Sequence, residues 1–248
     1  MGDGLRLAVG TLTALPVRPP TQVDQRTART AVLLAPPATL PLGLAVAATL
    51  WLTHLLGVDP LASGLLAVGV LALGSRALHL DGLADTADGL TSSYDRERSL
   101  AVMKSGVVGP AGVAALIVVL GIQVVGFAGL SDEPLAAGAL VLASRAALAL
   151  TCMRGVPAAA GEGLRSAFAG SVSWPLALLR WLSAAAIAGV VLAVLGMPWQ
   201  SAIVGFAIAT VLVGLLIHRA ITRLGGVTGD VFGAAIELTL ATLLVVAA

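Results

Sequence analysis

Seven apolar stretches, each long enough to cross a membrane as a helix, constrain this chain more than any other feature of it. They cover residues 31–56, 60–78, 107–130, 135–153, 178–197, 199–218 and 231–248. A spanning helix needs roughly 20 mostly apolar residues. Charged residues make up only 11% of the 248, where a soluble domain carries roughly 25%. A soluble fold of this size could not cover itself with polar surface, so the bilayer is the expected solvent. Ala, Leu, Val and Gly carry the hydrophobicity, and such small residues suit close helix packing in lipid. The expectation is an all-α, polytopic integral membrane protein with about seven transmembrane helices, forming one domain over residues 1–248. Pro36, Pro37 and Pro41 should make the early part of the first span irregular. Gly4–Leu15 reads as an additional short interfacial or re-entrant helix. The net charge of +1 gives no argument for nucleic acid. The single cysteine, Cys152, lies in an apolar run and can form no internal disulfide.

The connectors fix an expected orientation. Gly57–Asp59, Ser131–Pro134 and Gly196–Pro198 are short and contain no Lys or Arg. Residues 79–106, 154–177 and 219–230 are longer and basic. Arg6, Arg18, Arg26 and Arg29 precede the first span. Arg96, Arg98, Lys104, Arg154, Arg165, Arg180, Arg219 and Arg223 lie in or beside the long connectors, and Arg76 and Arg145 fall inside spans. The positive-inside rule puts the N-terminus and the long connectors in the cytoplasm and the C-terminus on the far side. This is a multi-pass cell-membrane protein surrounded by lipid.

The most informative segment is His79–Gly89, HLDGLADTADG. Asp81, Asp85 and Asp88 are spaced i, i+4, i+7, which puts them on one face of a helix. Like charges stacked in this way repel. A divalent cation such as Mg²⁺, Mn²⁺ or Ca²⁺ removes that cost, and Mg²⁺ typically takes a few carboxylates plus substrate phosphates. The plain alternative is a solvated acidic helix end. Ionisable groups beside a membrane are functional by default, which favours the metal. Gly82 and Gly89 bring the backbone close to whatever lies there, or end the helix. His79 lies off the aspartate face and reads as a ligand, a base or an ordinary interface histidine.

A second acidic feature lies in Gly225–Leu238, GGVTGDVFGAAIEL. Asp230 and Glu237 are seven residues apart and share a helical face, with Glu237 about two turns into an apolar helix. A lone carboxylate there must be paired, protonated or metal-bound. A structural pair of Glu237 with Arg145 or Arg76 is the competing reading. Gly229 and Thr228 belong to a glycine-rich helix start of the kind that can face a phosphate. Arg96 and Lys104, in the same connector as the aspartates, are candidates to hold phosphate oxygens. Gly161-Glu162-Gly163 reads either as a loop that closes over substrate or as a plain turn.

A carboxylate–metal site, a glycine-rich helix start and several arginines on one side of the membrane are what phosphoryl transfer needs. No Walker motif, dinucleotide fingerprint, HExxH or Cys/His zinc pattern is present.

At this point the residues resemble the cobalamin synthases, the adenosylcobinamide-GDP ribazoletransferases. HLDGLADTADG is similar to that family's HxDGxxDxxDG string. Leu12–Pro16 (LTALP), Met103–Gly112 (MKSGVVGPAG) and Gly225–Leu238 resemble its other segments in order, so the similarity runs along essentially the whole chain. The resemblance implies an enzyme of the cytoplasmic (inner) membrane with Mg²⁺ as cofactor. The 3′-hydroxyl of α-ribazole, or of its 5′-phosphate, attacks adenosylcobinamide-GDP and GMP leaves. Asp81, Asp85 and Asp88 become metal-binding and catalytic carboxylates, with Asp230 and Glu237 as a second acidic pair. Asp85 or Asp88 is the proton acceptor. A homo-oligomer is allowed. Two alternatives stand beside it: a CDP-alcohol phosphotransferase of lipid synthesis, and a cation-coupled transporter. Asp85 stands where the phosphotransferases carry Arg, which argues against the first. The absence of a visible repeat argues against the second.

Overall fold

The computed structural model describes residues 1–92, 94–159 and 167–248. Among these residues the chain is helical, without a strand, and has two isolated β-bridges, Met153–Val172 and Ala158–Val227. In chain order the helices are α1 (Asp3–Leu12), α2 (Gln25–Ala38), α3 (Leu40–Leu55), α4 (Pro60–Gly74), α5 (Leu78–Ser92) and α6 (Arg96–Met103). There follow α7 (Pro110–Gly129), α8 (Pro134–Ser144), α9 (Ala147–Thr151), α10 (Trp174–Val194), α11 (Gln200–Leu224) and α12 (Gly229–Ala247). Residues 160–166, with Gly161–Gly163 and Arg165, lie outside the described part.

Among the described residues, six segments are long and apolar enough to cross a membrane: α2 with α3, α7, α8 with α9, α10, α11 and α12. The pair α4 and α5 passes the same test but is bent by 93°. Counted as one broken span, it gives the seventh. Sequence chemistry sets many of the ends. Pro60, Pro110, Pro134 and Pro175 occupy first turns, where a missing N–H leaves no orphan. Asp59 accepts the amides of Leu61 and Ala62 at the start of α4. Gly225 ends α11 at φ 77°, a left-handed cap that needs no Cβ.

Two spans differ from the sequence expectation. The helix of the first begins at Gln25 and continues through Pro36 and Pro37. The irregularity is confined to Thr39, whose hydroxyl donates to the carbonyls of Ala35 and Pro36. The second span stops at Gly74 rather than running to residue 78. Arg76 and Ala77 then take φ of 57° and 53°. The N-terminal segment holds this break. The Ala14 amide donates to the Gly74 carbonyl at 2.6 Å, and the Arg76 guanidinium donates to the Gly10 carbonyl at 2.5 Å. Arg76 is therefore exposed at a break, not enclosed in a span. Helix α1 is roughly 15 Å long, too short to cross, and lies along α2 on Gly4, Leu7, Ala8 and Leu12.

Small residues let the helices approach closely, as lipid-embedded packing favours. A Cβ on Gly43 of α3 would sit 2.7 Å from the Gly138 carbonyl oxygen of α8. The expected long connector 79–106 is largely two helices. Its first part, α5, packs closely on α12 and also on α7.

Candidate active site

Helices α5 and α12 run antiparallel and touch backbone to backbone. A Cβ on Gly82 would lie 2.7 Å from the carbonyl oxygen of Asp230 and 3.0 Å from its Cα. One turn deeper, a Cβ on Gly233 would lie 3.0 Å from the Cα of His79. Only glycines permit this approach, and it carries Asp81 and Asp85 to the side of Asp230. Asp85 is half-buried and feels the charges of Asp81, Asp230 and Asp88. Among the described residues, none of Asp81, Asp85 and Asp230 forms an ion pair with a basic side chain.

Asp230 sits in the first turn of α12, where the helix N-terminus favours negative charge. The Thr228 hydroxyl caps that helix by accepting from the Val231 amide and donates to the Asp230 carboxylate at 3.0 Å. Gly229 beside it is exposed. The preceding Gly225–Val227 turn is fastened to residues 157–159. The Val227 amide donates to the Pro157 carbonyl, and the Ala159 amide donates to the Val227 carbonyl. Arg96 reaches over this turn, donating to the Ala159 carbonyl and lying against Gly225. Arg223 stacks its guanidinium over the Tyr94 ring at 4.3 Å. Lys104 is exposed at the end of α6.

The third aspartate of the motif has another setting. Asp88 is buried, and its two carboxylate oxygens accept the amides of Gly109 at 2.6 Å and Gly112 at 2.9 Å. It thus caps the N-terminus of α7 from a different helix. Gly89 packs against Met103, so both motif glycines are spent on helix contacts.

Glu237 and His79 lie elsewhere. Seven residues beyond Asp230, roughly 10 Å along the helix, Glu237 is buried and accepts from the Gln123 side-chain amide at 2.6 Å. His79 Nδ1 lies 3.7 Å from the Glu237 carboxylate, beyond hydrogen-bond range. Arg145 is fully buried, interacts electrostatically with Glu237, and donates to the Val141 carbonyl and the Ser144 hydroxyl, both at 2.8 Å. The structure therefore brings Asp81, Asp85 and Asp230 together and leaves Glu237 and His79 in a separate buried group. Of the two arginines considered for Glu237, Arg145 is the one whose charge it feels, without a direct ion pair among the described residues. Sequence reasoning passed over Gln123, Gly109 and Gly112. Gln123 did leave a signal, as a lone amide in an apolar spanning stretch.

Among the described residues, no three His, Cys, Asp or Glu side chains close around a common point. Asp81, Asp85 and Asp230 offer oxygen donors from neighbouring turns of α5 and α12, without closing into a complete site. That fits Mg²⁺, which keeps several waters and takes substrate phosphate oxygens to complete its octahedron.

Comparison with known proteins gives one consistent result. Residues 4–248 match the family described as cobalamin-5-phosphate synthase. A Nocardioides protein named adenosylcobinamide-GDP ribazoletransferase is 54% identical over 244 residues, covering 98% of this chain and 97% of its own. Proteins of the same name from Frankia casuarinae and Chlorobaculum tepidum are 35% and 36% identical, covering 98% and 100% of this chain. No solved structure matches. The chain belongs to the cobalamin-5-phosphate synthase family.

Proposed function

We propose that this protein is a Mg²⁺-dependent adenosylcobinamide-GDP ribazoletransferase acting at the cytoplasmic membrane face. The 3′-hydroxyl oxygen of α-ribazole, or of its 5′-phosphate, attacks the phosphorus that carries cobinamide. The bond from that phosphorus to the oxygen bridging to GMP breaks, GMP leaves, and adenosylcobalamin or its phosphate is formed. The observation that carries this reading is the gathering of Asp81, Asp85 and Asp230, without a basic partner, beside the Thr228-capped start of α12.

Asp81, Asp85 and Asp230 would hold the metal. When bound, Mg²⁺ supplies neutralisation of the diphosphate and of the charge developing on the leaving GMP. Asp85 takes the proton of the attacking hydroxyl. It is preferred to Asp88 because both Asp88 oxygens are already engaged by α7 amides. Arg96, next to the glycine turn, is placed to hold a phosphate oxygen. The orientation is supported by the arginines: Arg26, Arg29, Arg96, Arg98, Arg154, Arg219 and Arg223 lie at the same helix ends as the aspartates. The opposite turns carry Asp59, Asp132 and Glu133.

The test is turnover by detergent-purified protein given adenosylcobinamide-GDP, α-ribazole and Mg²⁺, followed by GMP release and corrinoid product. Product that vanishes with EDTA and with Asp85→Ala is expected. A well-folded protein that yields none with α-ribazole or its 5′-phosphate would overturn the substrate assignment. Turnover in detergent also separates an enzyme from a transporter, since no gradient exists there.

A further inference from the structure

Below the carboxylates, Glu237, Gln123, Arg145 and His79 draw together four parts of the bundle: α12, α7, the α8–α9 junction and the start of α5. Little open space adjoins the group. The cavity beside Gln123 and Glu237 has a volume of about 10 Å³, room for one water at most. It is also not an arrangement that maximises stability. Among the described residues, the Arg145 Nε and Nη2 and the His79 Nδ1 meet no hydrogen-bond partner, and buried polar groups left unmet are destabilising. Apolar residues of similar size would serve packing at least as well.

What the group can supply is register. The contact between α5 and α12 is glycine on backbone at Gly82–Asp230 and Gly233–His79. Beside these close approaches the seam's side-chain packing is apolar, Leu83 of α5 sharing a cluster with Ala234 and Ala241 of α12, and apolar contacts are non-directional. No continuous helix carries the register of α4 into α5, because residues 75–77 break the two apart and are held instead by the N-terminal segment. A buried polar contact is a known way to select one register at some expense of stability. Glu237 lies on the helix that carries Asp230, and His79 lies two residues before Asp81.

The geometry points to Gln123, Arg145 and Glu237 as positioning residues that set the register of α5 against α12, and so the placement of Asp81 and Asp85 relative to Asp230. The inference rests on the metal-site reading above, not on the identity of the corrinoid substrate. It moves Glu237 from metal ligand to positioning residue and brings in two side chains from outside the motifs.

The test uses the full chain in detergent with two variants: the apolar triple Gln123→Leu/Arg145→Met/Glu237→Leu and the single Gln123→Met. Thermal unfolding reports folding. Mn²⁺ alone, titrated without nucleotide and read by loss of its free electron paramagnetic resonance signal, reports the carboxylate geometry. GMP release gives kcat and KM. The triple variant is expected to unfold at or above the parent temperature. Its Mn²⁺ affinity should weaken about 10-fold, with kcat falling more than KM rises. The single variant should move the same way by less. Folded variants that keep parental Mn²⁺ affinity and kcat would overturn the inference, since a purely structural role changes the amount of folded protein and not its metal affinity. Should the triple variant fail to fold, the Mn²⁺ reading of Gln123→Met decides. If the parent binds Mn²⁺ and the variants bind it more weakly, while none forms corrinoid product, the substrate assignment falls and the positioning role stands.

Discussion

Asp230 and Glu237 lie seven residues apart on one helix, yet the fold treats them in opposite ways. Asp230, at the mouth of the bundle, has the Thr228 hydroxyl as a partner and interacts with the charge of Asp85. Glu237 is enclosed, bonded to Gln123, and feels the charge of Arg145. The same division recurs inside the α5 motif. Asp85 makes no ion pair among the described residues, whereas Asp88 binds two α7 amides. Carboxylates that the fold satisfies from within are architecture. On the proposed reading, those it leaves short of positive charge would take a cation from outside. A shared helical face therefore does not imply a shared role, because the neighbours that reach each residue decide it.

The sharpest way to break this comparison is to exchange the fates of Asp85 and Asp88. Asp85→Ala should cut GMP release by about 10³-fold, the range for loss of a general base. Its thermal unfolding should stay at or slightly above the parent's, since a like-charge neighbour is removed. Gly82→Ala comes next. Its methyl would meet the Asp230 backbone rather than a yielding side chain, so α5 must shift. A misplacement of about 1 Å can cost about 10²-fold in turnover, measurable in the same assay. Asp88→Ala should act chiefly on stability. It strands the Gly109 and Gly112 amides at the start of α7, at a cost of about 2 kcal/mol, read as a lowered unfolding midpoint. An Asp88→Ala protein as stable as the parent but inactive would return Asp88 to the chemistry.

Periodicity made much of this legible. The seven apolar stretches correspond to the six long crossings and the bent α4–α5 pair. The i, i+4, i+7 spacing of Asp81, Asp85 and Asp88 does lie on a helix. What sequence could not show were contacts between distant segments. Asp88 meets Gly109 and Gly112, 21 and 24 residues later, and Glu237 meets Gln123, 114 residues away. Local signals also lost to tertiary ones. Pro36 and Pro37 are carried inside α2, and the helix ends only at Thr39, whose hydroxyl takes up the Ala35 and Pro36 carbonyls. Nothing in Ser75-Arg76-Ala77 marks a break, since neither Arg nor Ala favours positive φ. The break exists because Gly10 and Ala14 reach across to Arg76 and Gly74.

That break yields the smallest prediction. Ala77 holds φ at 53°, where an L side chain crowds its own carbonyl by roughly 1–2 kcal/mol. Glycine adopts that angle freely but adds freedom to the unfolded chain. Ala77→Gly should therefore raise stability by about 0.5–1 kcal/mol, seen as a higher unfolding midpoint, with turnover unchanged. Should the midpoint rise and turnover fall, the strained turn would itself help hold α5 against α12, and the buried group around Glu237 would be only part of what sets the register. Should both stay high, the start of α5 is fixed from the Glu237 side, and the division between satisfied and unsatisfied carboxylates extends to the backbone that carries them.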